Sequence, residues 1–215
     1  MPNECRQHRW LPAARELLLA LSIAALAAFV MWRALPVAAS SAPRAWDHGV
    51  VRIYDSSELG RTVTTAAQRW NTSGVEVRLI KVASPDQADV VFDVDDRQLH
   101  GSCGYDCLGY TTSIGRPADG GQVTVLLASE LSGSPRPLSV WVAAHELGHV
   151  LGLNHHDGRA CSLMSAHAFD TSCAPSLTAE PPTLDQLACV PAPADVEAAA
   201  AIYGGALTRR DVRCR

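Results

Sequence analysis

The sequence predicts an α+β domain, a twisted mixed sheet of about five strands with a backing helix and two later helices. Three observations lead there: short apolar stretches that alternate, longer stretches with helical spacing, and Gly- and Pro-rich turns between them. Residues 50–54 alternate as a strand. Residues 56–71 place Leu59, Val63, Ala66, Ala67 and Trp70 on one helical face, and Gly74 stops that backing helix. Residues 75–82 alternate cleanly, and residues 88–94 form a more continuous apolar strand. Asp93, Asp95 and Asp96 read as the solvated end of that strand in preference to a calcium site. Residues 107–112 make a short strand, Pro117 to Gly121 a turn, and residues 123–128 the fifth strand. Residues 138–151 form a helix. Prolines 175, 181, 182, 191 and 193 then break regular structure before a last helix over 194–203, which ends at Gly204-Gly205. There is no internal repeat.

Composition narrows the function. Of 215 residues, 47% are hydrophobic and 19% charged, which excludes a disordered, solvated chain. A net charge of −4, with 17 arginines and the single Lys81, gives no basic surface for nucleic acid. Arg6, Arg9 and Arg15 precede an apolar run at 17–32 that only Ser22 interrupts. A positive segment followed by an apolar core is an export pattern. Residues 1–16 are then a cytoplasmic n-region, 17–32 a signal anchor or signal-peptide core, 33–45 a linker or cleavage region, and 46–215 the folded domain. Val37-Ala38-Ala39 suits a signal-peptidase cut near Ala39, whereas Arg33 favours a retained tether. In both cases the domain lies outside the cytoplasm, tethered to the membrane or secreted.

That placement sorts the seven cysteines. Cys5 falls in the n-region. The other six (Cys103, Cys107, Cys161, Cys173, Cys189 and Cys214) form an even set for which three disulfides are expected, in any of about fifteen pairings. Cys103 and Cys107 lack a partner pair at ligand spacing, which disfavours a metal there.

The chemistry is concentrated in one segment, His145-Glu146-Leu147-Gly148-His149-Val150-Leu151-Gly152-Leu153-Asn154-His155. On a helix, His145 and His149 lie one turn apart on one face, which suits two nitrogens on a single zinc. Gly152 can adopt positive φ, end the helix in a tight turn and bring His155 back as the third ligand. His156, next in sequence, is the competitor for that place. Glu146 falls beside the metal and can take a proton from water as a general base. Two readings follow: a catalytic zinc centre with Glu146 as its base, or a non-catalytic, disulfide-stabilised binding module with a structural zinc. A purely structural zinc does not need Glu146. Trp141 reads as core packing behind this helix, and His48, His100 and His167 lack ligand spacing.

This HExxHxxGxxH pattern, followed by Ser162-Leu163-Met164-Ser165, resembles the metzincin clan of zinc endopeptidases. Within the clan the chain is similar to matrixins and to small secreted neutral proteases of the snapalysin type. The similarity rests on Ala66-Ala67-Gln68-Arg69-Trp70-Asn71, Ala88-Asp89-Val90-Val91-Phe92, the stretch from Ala144 to Leu153, and a terminal helix near residues 199–204. The resemblance implies a zincin-like (metzincin) fold, with residues 46–215 as the metallopeptidase domain and one catalytic zinc. It also implies Met164 as the floor of the zinc site and a Cys161–Cys173 disulfide like that of snapalysin. A protein or peptide substrate is expected, on a monomer, and it would pair with the sheet edge at residues 107–112 or 122–128. There are departures. Snapalysin-type enzymes carry Asp where this chain has His155, and matrixins carry Ser where it has His156. No Tyr stands two residues after Met164, the calcium and structural-zinc loops are not matched over 99–121, and a cysteine-switch propeptide is not expected.

Overall fold

The computed structural model describes residues 44–155, 162–166 and 191–207. Backbone contacts divide the chain between Ala42 and Pro43, so every described residue belongs to the second unit. The export segment, His156, His167 and cysteines 5, 161, 173, 189 and 214 lie outside the described residues.

Five strands form one sheet: β1 (Val50–Asp55), β2 (Arg78–Lys81), β3 (Val90–Asp93), β4 (Gly109–Thr111) and β5 (Val123–Leu127). Among the described residues four α-helices accompany them: α1 (Thr62–Asn71), α2 (Asp96–Cys103), α3 (Arg136–Val150) and α4 (Pro193–Tyr203). The strand order is β2-β1-β3-β5-β4. The first four are mutually parallel, and β4 runs antiparallel to β5 at one edge. Adjacent parallel strands need a crossover, which α1 supplies between β1 and β2. β5 is therefore internal. Of the two strands expected to offer an edge to substrate, only β4 is at an edge.

α1 packs on α3, and Trp70, fully buried, donates its indole N–H to the Ala144 carbonyl at 3.0 Å. Every residue of α3 from Ser139 to Val150 is buried. A helix buried on all sides lies inside a domain, and α3 runs beneath β4 and β5 with α1 alongside. Trp46 closes its far end, donating its indole N–H to the Val150 carbonyl at 2.7 Å.

Several elements differ from the sequence reading. The backing helix starts at Thr62, not residue 56, because Ser57 turns back onto Asp55 and Glu58 and Gly60 adopt positive φ. Only Arg78–Lys81 of the 75–82 stretch joins the sheet, while Val75 bridges to Gly205 instead. Asp93 ends β3 exposed, as expected, whereas Asp95 and Asp96 begin the next helix. Asp95 caps α2 by accepting the Gln98 N–H at 3.0 Å, and Asp96 accepts from Ser129. The cue was present: Asp95 stands three residues before Gln98, a capping spacing. α2 ends in a Cys103–Cys107 disulfide that ties it to the approach to β4.

Candidate metal centre and active site

His145 and His149 project from the last two turns of α3, their ring centroids 4.8 Å apart. Gly152, at φ 95°, then reverses the chain. Its N–H bonds to the His149 carbonyl and the Leu153 N–H bonds to the Gly148 carbonyl, both at 2.9 Å. This pair of bonds is the Schellman ending that a C-terminal glycine allows. It carries His155 back over the helix, so that His155 Nε2 lies 3.2 Å from His145 Nε2 and 3.1 Å from His149 Nε2.

Those distances test the site for zinc. Three nitrogens bound at ~2.0–2.1 Å around a tetrahedral ion stand ~3.3 Å apart. The other ring nitrogens are already committed: His145 Nδ1 donates to the Leu163 carbonyl at 2.7 Å and His149 Nδ1 to the Leu153 carbonyl at 2.8 Å. The Nε2 atoms of His145 and His149 therefore each offer a lone pair to the point they share with His155 Nε2. Burial, then the neighbouring His149, pushes His145 down to about 3, and burial lowers His149 as well. Both shifts favour the neutral ring that a metal ligand requires. The residues fit the ion.

Glu146 is buried beside this cluster, and its Oε2 accepts the Thr111 hydroxyl at 2.6 Å. Burial raises its carboxyl to about 7, against the opposing Thr111 hydrogen bond. The cleft above has a volume of about 1050 Å³, with β4, Ile114, Trp141 and the three histidines among its walls. Trp141 is buried as part of the core, as expected, and it has a second role. It lines this cleft and stacks on His145, centroids 5.3 Å apart at 26°.

Met164 is fully buried with its thioether against Gly148. A Cβ on residue 148 would collide with Met164 Sδ and stand 3.6 Å from Trp70. Glycine inside a helix costs about 1 kcal/mol relative to alanine, whereas overpacking a filled core costs about 1–3 kcal/mol. Gly148 is thus the less costly residue there. The turn bearing Met164 hangs on Asp195 of α4, a fully buried carboxylate that no sequence signal singled out. It accepts Ser162 Oγ at 2.6 Å, Leu163 N–H at 2.8 Å, Met164 N–H at 3.3 Å and Ala192 N–H at 2.9 Å. Since Leu163 also orients His145, Asp195 supports the position of that ring through the backbone. From the sequence, Asp195 reads only as a helix-capping residue in the first turn of α4.

A family model, the reprolysin-like metallopeptidases of family M12B, matches residues 49–156. The crystal structure of myroilysin superposes with a TM-score of 0.51 at 12% identity, covering 76% of this chain and 86% of that one. A second structure of myroilysin has a TM-score of 0.37 at 16% identity, covering 52% of each chain. No curated protein sequence matches. The family match names the reprolysin-like branch, not the matrixin or snapalysin branches that the local motifs resemble. The first superposition supports the zincin-like α+β fold.

Proposed function

Since the chain belongs to the reprolysin-like M12B metallopeptidases, we propose that it is an exported zinc endopeptidase in which Glu146 is the general base. The protein is a metalloendopeptidase using zinc; the export, the general base and the individual ligand roles are the finer reading. His145, His149 and His155 hold the metal, and Met164 closes the floor beneath their helix. Zinc, when bound, polarises a scissile carbonyl and eases deprotonation of water. Glu146 accepts the proton of the attacking water and delivers it to the leaving amine as the C–N bond breaks. The substrate lies extended along β4, whose second edge is not paired with any described strand.

The observation that carries this reading is the buried Glu146 carboxylate, adjacent to the three-histidine cluster and lining the same cleft. A site that used zinc only for structure would leave that costly burial without a purpose. The test is hydrolysis of a generic protein substrate by the secreted chain, with and without a chelator. Activity that the chelator abolishes and added zinc restores is expected. A wild type inert on a broad peptide library supports the non-catalytic module instead.

Export is supported by the 17–32 apolar run and by the Cys103–Cys107 disulfide, a bond that persists in oxidising compartments. The Cys161–Cys173 bridge remains part of the proposal, closing the loop that contains Met164. N-terminal sequencing of the protein from its host separates the two export routes: retention of residues 17–32 means a tether, and a start near Ser40 in the culture fluid means secretion.

A further inference from the structure

Two of the three residues of β4 bear on a single carboxylate. Gly109 and Thr111 are two apart and share a face of the strand, and that face meets Glu146 on α3. Thr111 is buried, and its hydroxyl lies 2.6 Å from Glu146 Oε2, within the ~2.5–2.7 Å range of an O–H···O⁻ hydrogen bond. The same hydroxyl stands 3.3 Å from the Glu146 carbonyl oxygen. It has one proton to give, and the shorter, charge-assisted contact takes it. On the other side, Gly109 leaves the space that the carboxylate fills. A Cβ there would stand 2.5 Å from Oε1 and 2.9 Å from both Cδ and Cγ.

We infer that Thr111 is a positioning residue for peptide hydrolysis: its hydroxyl, with bare Gly109 beside it, holds the Glu146 carboxylate in the one orientation that can receive the proton of the attacking water. This rests on the general-base reading of Glu146. A glutamate side chain has several staggered rotamers, and only the productive one transfers the proton. Thr111 occupies one of the roughly four lone-pair positions of the carboxylate and leaves the others for water. β4 thus has two tasks, one edge turned to substrate and one face turned to the base.

Thr111→Val keeps the shape and removes the hydroxyl. In the full, zinc-loaded chain it is expected to lower kcat about 10–100-fold, the scale of a misplaced catalytic group. KM should stay within about twofold and zinc at one per chain, because neither depends on the orientation of the carboxylate. Thr111→Ser should restore most of kcat, since it returns the hydroxyl without the methyl. In a Glu146→Gln background, Thr111→Val should cost nothing more, because non-additivity marks residues that act as one unit. A crystal structure of the variant should show the Glu146 carboxylate displaced, a readout independent of turnover. If Val is not tolerated in the fold, Thr111→Ala removes the hydroxyl without changing the strand face. Unchanged kcat, a loss carried in KM, or a Ser variant as impaired as Val overturns the positioning role. Should Glu146→Gln itself stay active, the general-base reading fails. Should Glu146→Gln be inactive while Thr111→Val is as fast as wild type, the positioning role alone fails.

Discussion

Glu146→Gln is expected to bind zinc and fold as the wild type does, yet to hydrolyse peptides ~10²–10⁴-fold more slowly, the usual cost of removing a general base. Glutamine has the same shape, so the space beside Gly109 stays filled. Its amide oxygen can still accept the Thr111 hydroxyl that now bonds Oε2 at 2.6 Å. What it lacks is basicity. Burial raises the Glu146 carboxyl to about 7, whereas an amide has no proton-accepting carboxylate at all. Paired kinetics and elemental analysis check the expectation. Full zinc content together with a rate within a few-fold of wild type would remove Glu146 from the mechanism.

His155→Ala is expected to lose most of its zinc, and activity with it. His155 Nε2 supplies the third lone pair, 3.1 Å and 3.2 Å from the other two. Removing a donor should cost more than the ~10–100-fold in affinity that follows loss of an outer partner. The fold should persist, because His155 is exposed on a turn secured by Gly152 and by the buried Leu153. Zinc per chain, measured after dialysis against a weak chelator, is the readout. Retention of zinc in this variant, with loss in His156→Ala, would transfer the ligand role to the next residue.

Most of the metal cluster was legible because helix geometry is local. Residues four apart share a face whatever surrounds them, and a glycine at the helix end permits only a few reversals. His145, His149, Gly152 and His155 span eleven positions, so their meeting needs no knowledge of the rest of the chain. The strands at 50–54, 88–94 and 123–128 were legible for the same reason, since alternation and continuous apolar runs are local signals. Helix starts were less legible, because side chains found nearby partners: Ser57 turns back onto Asp55 ahead of α1, and Asp95 caps α2 through Gln98.

The shell around the cluster was not legible. Thr111 reaches Glu146 across 35 positions, and Asp195 reaches Ser162 across 33. Neither has a residue pattern to announce it. A buried threonine on a three-residue strand looks like any other, and an acidic residue in the first turn of a helix looks like a cap. Trp141 reads as core and is buried there, but its place on the wall of the cleft, stacked on His145, had no local signal. The internal place of β5 follows from the strand order, which side-chain periodicity does not encode. Short-range spacing along the chain therefore determines which residues can hold zinc and which carboxylate stands beside it. How that carboxylate is oriented, how the Met164 turn is suspended and which strand edge meets the substrate depend on pairings between distant segments. Those pairings are set by burial of the common core, where no local pattern can be read.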